Sequence, residues 1–236
     1  MDQGNGLQTR KTVSSNLTRY SKLEVSKCSW THVGLSRLKM GIVTPWDRQR
    51  IIMIEKYLLI DDVLDEPESI RKFALEQRFY NNIDHPRQPK NWVGLRSLPL
   101  HELDEDIFQT IFHIIFRKCL NNTFGEKSDY VFLNYNVNSY FHLLPEECKF
   151  TPEWIHKDVE CLYAGVLYLN PAGEHFGTKL FLDGKEIEVN NKFNRLMIYN
   201  SNVLHAPING SGEGLDSSRL ALVFFINQLN LQFKPR

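Results

Sequence analysis

His156 and Asp158 stand two residues apart in the segment His156-Lys157-Asp158, and a second histidine, His205, lies far downstream. On an extended strand, residues two apart point to the same side, so one imidazole and one carboxylate can reach a single ion. A further imidazole from another strand completes a set of two histidines and one carboxylate. That set holds non-haem iron(II) and leaves positions open for oxygen. Arg219 follows His205 by fourteen residues. Its planar fork is suited to grip a carboxylate with two charge-assisted hydrogen bonds. Each residue also has a plainer role. With eight histidines in the chain, an HxD pair arises by chance, and Arg219 alone is a strand-end charge. The order of the segments around them decides between the two.

Those segments read as follows. Residues 1–48 are polar and aperiodic, and form a flexible basic tail on this reading. The first fifty residues hold nine Lys/Arg against three Asp/Glu, in a chain whose net charge is zero. The segment is also rich in Ser, Thr and Arg, a composition shared with transit peptides. The folded domain is assigned to 49–236, with helical support in 49–129 and a jelly-roll core in 130–227. Ile51-Ile52-Met53-Ile54 reads as a buried strand. Pro67 marks the first turn of a helix extending to about residue 80, with Ile70, Phe73 and Ala74 at core-facing spacing. A second helix is predicted over Asp104–Leu120, with an apolar stripe of Ile107, Ile111, Ile114 and Ile115. Acids stand at its start, Arg117-Lys118 stand at its end, and Asn121 to Asp129 break it. From Tyr130 the chain reads as short strands: Tyr130–Tyr135, Trp154–Asp158, Tyr163–Leu169, Lys179–Leu182, Ile187–Val189, Arg195–Tyr199 and Arg219–Asn227. Asp183-Gly184 is the tight turn between two of them. The expected class is therefore mainly β with flanking helices, built on a double-stranded β-helix, or jelly roll.

The sequence from HxD runs through Gly165-Val166-Leu167-Tyr168-Leu169-Asn170-Pro171 and then Gly177-Thr178-Lys179-Leu180-Phe181. A strand leads next to Leu204-His205-Ala206-Pro207, and Arg219 opens an apolar strand. This succession resembles the iron(II)/2-oxoglutarate-dependent dioxygenases, in particular the branch containing prolyl hydroxylases. The resemblance covers about Tyr130 to Asn227. It implies that His156, Asp158 and His205 are iron ligands and that Arg219 pairs with the distal carboxylate of 2-oxoglutarate. It further implies that Tyr168 hydrogen-bonds that carboxylate and that Tyr135 lines the pocket. Iron(II), 2-oxoglutarate and oxygen are then required, with ascorbate as reductant, and a C–H bond of a peptide, amino acid or small metabolite is hydroxylated. Retention of Asp158 sets the chain apart from related halogenases. Ala221 replaces the small polar residue often found two after the arginine, and Phe176-Gly177-Thr178 replaces a Gly-Gly pair. The long segments Phe141–Glu153 and Pro207–Ser218 are expected to be substrate lids.

Composition narrows the alternatives. No apolar run of membrane-helix or signal-peptide type is present, and an intracellular, cytoplasmic protein is expected. Cys28, Cys119, Cys148 and Cys161 form no CxxC pair and are read as reduced thiols. Outside the tail acids exceed bases, which argues against a nucleic-acid groove. A second reading is a non-catalytic jelly roll that binds a metal or small molecule. A third is a purely structural jelly roll. Arg219 separates the first two readings: it faces the barrel interior in an oxygenase and solvent in a binding protein.

Overall fold

A computed structural model describes residues 54, 56–87, 92–124, 130–171 and 176–233. The predicted tail and the Ile51–Ile54 strand lie outside the described residues, apart from Ile54, which is in no strand. Among the described residues, nine strands and three α-helices follow in the order β1 (Tyr57–Ile60), α1 (Pro67–Leu75), β2 (Leu95–Pro99), α2 (Leu100–Leu103), α3 (Glu105–Phe124), β3 (Tyr130–Leu144), β4 (Tyr163–Tyr168), β5 (Thr178–Leu182), β6 (Lys185–Val189), β7 (Leu196–Asn200), β8 (Leu204–Pro207) and β9 (Arg219–Phe233). They make two antiparallel sheets: a large one ordered β1-β7-β4-β9-β3-β2 and a small one ordered β6-β5-β8. This is the mainly antiparallel jelly-roll architecture expected from the sequence.

The period of two along each strand divides the large sheet into two faces. Phe141, Leu143, Gly165, Leu167, Leu220, Leu222 and Phe224 share one face through the β3–β9–β4 register. Helices cover it: Phe73 of α1 meets Phe141 edge-on, and Phe112 of α3 meets Phe224 edge-on at 5.3 Å between centroids. The buried stripe of α3 is Ile107, Phe108, Ile111, Phe112, Ile115 and Phe116. The predicted stripe of isoleucines is thus rotated toward the phenylalanines, which hold more apolar area, and Ile114 is left half-buried. Asp104 caps α3 by accepting from the Ile107 amide at 2.9 Å. The helix continues through Asn121 to Phe124, so Arg117-Lys118 do not stand in its last turn. Helix α1 is shorter than predicted and stops at Leu75.

The opposite face of the large sheet looks toward the small sheet. Ala164, Val166, Tyr168, Met197, Tyr199 and Ala221 pack there against Leu180 and Val189. Arg219, Ala221, Val223 and Phe225 of β9 share this interior face with Asn138, Tyr140 and His142 of β3. Asp183 and Gly184 both have positive φ, the backbone of the tight β5–β6 turn that the sequence predicts. Two further expectations fail. Phe141–Leu144 are strand, not lid, because β3 runs nine residues past Tyr135 against an equally long β9. Trp154–Asp158 is not a strand. Pro152–Trp154 form a 3-10 turn, as Pro152 in its first turn favours, and the extended pairing is a single bridge at His156. Strands β1, β2 and β8 have no counterpart among the predicted ones. Among the described residues no helix is long and apolar enough to cross a membrane.

Gly165 lets β4 pass beneath Phe224. A β-carbon there would meet the Phe224 ring at 2.2–2.8 Å. Gly165→Ala is therefore expected to destabilise the fold by about 1–3 kcal/mol, read as a lowered urea midpoint. An unchanged midpoint would mean that the ring and strand are not in this contact.

Candidate metal centre

Backbone pairing carries the HxD segment to its partner. The His156 amide donates to the His205 carbonyl and the His205 amide donates to the His156 carbonyl, both at 3.0 Å. Strand β8 holds His205 against Leu180 on its other side. Two residues on, the Asp158 amide donates to the Ser201 carbonyl at 3.0 Å, beyond the end of β7. The segment is thus pinned at both ends of HxD, and both side chains face the same way without a full strand.

The three side chains converge, with one ligand atom from each lying within 4.8 Å of the other two. His156 Nε2 is 3.6 Å from one Asp158 oxygen and His205 Nε2 is 3.3 Å from the other. The imidazole Nδ1 atoms face backbone carbonyls: His156 toward Trp154 at 2.7 Å and His205 toward Val203 at 3.0 Å. A carbonyl only accepts, so each Nδ1 carries the hydrogen. In the neutral ring each Nε2 is then a bare lone pair aimed at a carboxylate. Two lone pairs and a carboxylate repel one another unless a cation sits among them. Burial pushes the Asp158 carboxyl up, but the hydrogen bonds that the His156 and His205 rings give it when a proton sits on Nε2 outweigh burial and hold the group well below the usual carboxylate range. The same Asp158 contact raises the His156 imidazole above its ordinary value. A proton on Nε2 meets the demand for positive charge, and a divalent metal meets it better, with two nitrogen donors and one oxygen donor. The donor set suits iron(II), zinc or a similar ion. His205 and Asp158 side chains are 6% and 12% exposed, and His156 is 52% exposed, so the cluster opens to solvent on the His156 side.

The surroundings sort the remaining predicted residues. Arg219 is 3% exposed. It donates through Nε to the Phe176 carbonyl and through Nη2 to the Gly177 carbonyl at 3.2 Å. Its guanidinium lies over the Tyr168 ring at 5.7 Å, and the Tyr168 hydroxyl bonds Thr178 at 2.9 Å. Both residues belong to the interior face. Tyr135 does not. Its hydroxyl donates to Gln109 of α3 and its ring packs on Phe116 at 4.7 Å, so it is a helix-face residue rather than a pocket residue. The reason is parity: Tyr135 shares the side of Val137 and Phe141, opposite to Asn138, Tyr140 and His142.

A cavity of about 760 Å³ opens beside the cluster, lined by His156 and Asp158 together with Trp92, Arg96, His142 and Phe225. Sequence reasoning did not reach Trp92, Arg96 or His142. His142 Nε2 donates to the Val93 carbonyl at 2.6 Å. Burial first, then Arg96, hold its imidazole well below the ordinary value, so it is neutral. Tyr199 was read only as a strand end. It donates to Asp158 Oδ2 at 3.2 Å and packs on the His205 ring at 4.5 Å, fixing both.

No protein-family model matches the sequence, and no curated protein matches it. Solved structures do. The non-haem α-ketoglutarate-dependent carbocyclase SnoK from nogalamycin biosynthesis is 11% identical, with 76% of this chain and 83% of that one aligned at a TM-score of 0.52. A Pseudomonas putida prolyl-4-hydroxylase is 17% identical over 74% of this chain and 94% of its own, at a TM-score of 0.48. A 2OG-Fe(II) oxygenase-family oxidoreductase from Burkholderia pseudomallei is 10% identical over 73% and 84%, at 0.49. At such identities the likeness concerns the fold, and SnoK carries it: the chain has the fold of a 2-oxoglutarate-dependent oxygenase.

One cobalt(II) ion per chain is expected to bind, followed by its visible absorption. Asp158→Ala should weaken binding about a hundredfold or more, because it removes a ligand and the anion that neutralises the ion. Protons compete at His156, whose pKa is raised, so affinity should fall as pH drops below neutrality. Equal binding by the variant, or pH-independent binding, would contradict the site.

Proposed function

We propose that this chain is an iron(II)- and 2-oxoglutarate-dependent oxygenase that hydroxylates a C–H bond of a peptide, amino acid or small metabolite. The observation that carries this reading is the convergence of His156, Asp158 and His205 at the edge of a cavity inside this fold. His156, Asp158 and His205 hold the iron. Arg219 receives the distal carboxylate of 2-oxoglutarate. Two of its five N–H groups are engaged by the Phe176 and Gly177 carbonyls, which fix its fork and leave donors for the co-substrate. Tyr168 stands beside it as a second donor once Thr178 gives its own proton to the phenol oxygen. When bound, iron(II) couples oxygen reduction to oxidative decarboxylation of 2-oxoglutarate, and ascorbate keeps the metal ferrous. The protein's part is to fix the ligands, cover the interior with apolar walls and aim the substrate bond. Asp158 occupies the ligand position that a halide would need, which favours hydroxylation over halogenation. Free thiols at Cys119, Cys148 and Cys161 accord with an intracellular setting.

The buried, inward Arg219 supports this reading over a jelly roll that binds a metal without turnover. Turnover is the test. With iron(II), ascorbate, oxygen and a broad substrate panel, the wild-type chain should convert 2-oxoglutarate to succinate, and Asp158→Ala should abolish it. Arg219→Met should raise the 2-oxoglutarate KM at least tenfold with metal binding intact, because one charged hydrogen-bonding partner is lost. Absence of succinate from the wild type would favour the binding reading. An unchanged KM would remove Arg219 from the co-substrate site.

A further inference from the structure

An arginine other than Arg219 lines the cavity beside the metal cluster. Arg96 comes from β2, the edge strand of the large sheet, and pairs with His142 of β3. Its guanidinium is stacked among aromatic rings, 4.8 Å from the Trp92 centroid and 5.7 Å from those of Tyr140 and Phe225. Aromatic faces stabilise the cation without using its N–H groups. Arg96 Nε is shielded from solvent and has no hydrogen-bond partner among the described residues. The indole Nε1 of Trp92, against which it stacks, is in the same condition. Two adjacent buried donors without an acceptor are costly, at about 1–3 kcal/mol each, and native proteins leave few such groups. Both residues line the cavity, and both lack what a carboxylate supplies.

Charge balance points the same way. Among the described residues, Asp158 is the acid of the metal cluster, Arg219 is a buried cation, and Arg96 is a half-buried one that lines the cavity. On the reading proposed above, the metal's charge is met by Asp158 and the near carboxylate of 2-oxoglutarate. The distal carboxylate meets Arg219. Asp158, whose charge also acts on Arg96, is then shared with the metal, and the Arg96 charge is left undercompensated where such a charge is expensive. The rim adds Glu153 and Glu160 against Lys157, which repels a multiply charged anion such as a phosphate and tolerates a monoanion.

We propose that Arg96 and Trp92 form the receptor for a carboxylate on the primary substrate, and that this enzyme acts on a monocarboxylate whose apolar body lies against Trp92 and Phe225. The proposal rests on the oxygenase reading for the word substrate. The receptor itself does not depend on it. Arg96 is thereby a specificity residue, distinct from the arginine that serves the co-substrate.

The test uses 3-phenylpropanoate and its uncharged amide as probes on the metal-free full chain, followed by the indole N–H resonance of Trp92, assigned with Trp92→Phe. The acid should shift that resonance saturably, and the amide should bind at least tenfold more weakly. Arg96→Met should lose the acid's advantage over the amide, Arg96→Lys should keep part of it, and Arg219→Met should leave it intact. Equal binding of acid and amide by the wild type, or an undiminished preference in Arg96→Met, would overturn the proposal. In parallel, 2-oxoglutarate binding to the iron(II)-loaded proteins is read under argon from the visible charge-transfer band. Loss of that band in Arg96→Met but not in Arg219→Met would also overturn it, by making Arg96 the co-substrate's anchor. A wild type that prefers the acid through Arg96 but shows no band would sustain the receptor and remove the oxygenase reading.

Discussion

The site depends on one reciprocal contact, the pair of backbone hydrogen bonds between His156 and His205. It brings two residues distant in sequence to adjacent positions and leaves their side chains on one side. The carbonyls of Trp154 and Val203 then choose the tautomer of each ring, and Tyr199 holds the carboxylate between them. Local peptide geometry, not a long-range ion pair, thus creates the demand for a cation. A divalent metal would satisfy it with two nitrogen donors and one oxygen donor.

The rest of the fold supplies the support for that contact. Helices α1 and α3 seal one face of the large sheet with phenylalanines, which frees the other face to carry polar chemistry. Along β9 the alternation places Arg219 and Ala221 inside and Leu220 and Leu222 under the helices. The bulge at Asn227 shifts this register beyond the core, where Leu229 rejoins the helix face. A one-residue slip would exchange the two sets. The apolar face specifies the register on which the arginine depends.

How much of this is legible in the sequence follows from what each inference needs. The spacing of His156 and Asp158 needs only local extension, and the structure brings both beside His205, although the segment is a bridge and not the predicted strand. Arg219 and Tyr168 open and close apolar strands, and the structure places both on the interior face. Tyr135 shows the limit of alternation. Period two says that Tyr135 and Val137 share a face, but it does not say which face meets helices until the partner strand is known. Arg96, Trp92 and His142 were invisible for a related reason. Strand β2 is five residues long, carries Arg96, Ser97 and Pro99, and pairs only at the sheet edge, so it has no alternating pattern to find. The extra turn of α3 runs through Asn121 and Asn122 although both are weak helix formers, and the Thr123 hydroxyl there donates to the Cys119 carbonyl one turn back at 2.9 Å.

The most direct test of the central claim is the visible spectrum of the iron(II)-loaded chain titrated with 2-oxoglutarate under argon. The account requires a metal-to-ligand charge-transfer band that saturates at one 2-oxoglutarate per chain and is missing from Asp158→Ala. A wild-type protein that binds one iron(II) yet develops no band at any 2-oxoglutarate concentration would contradict it.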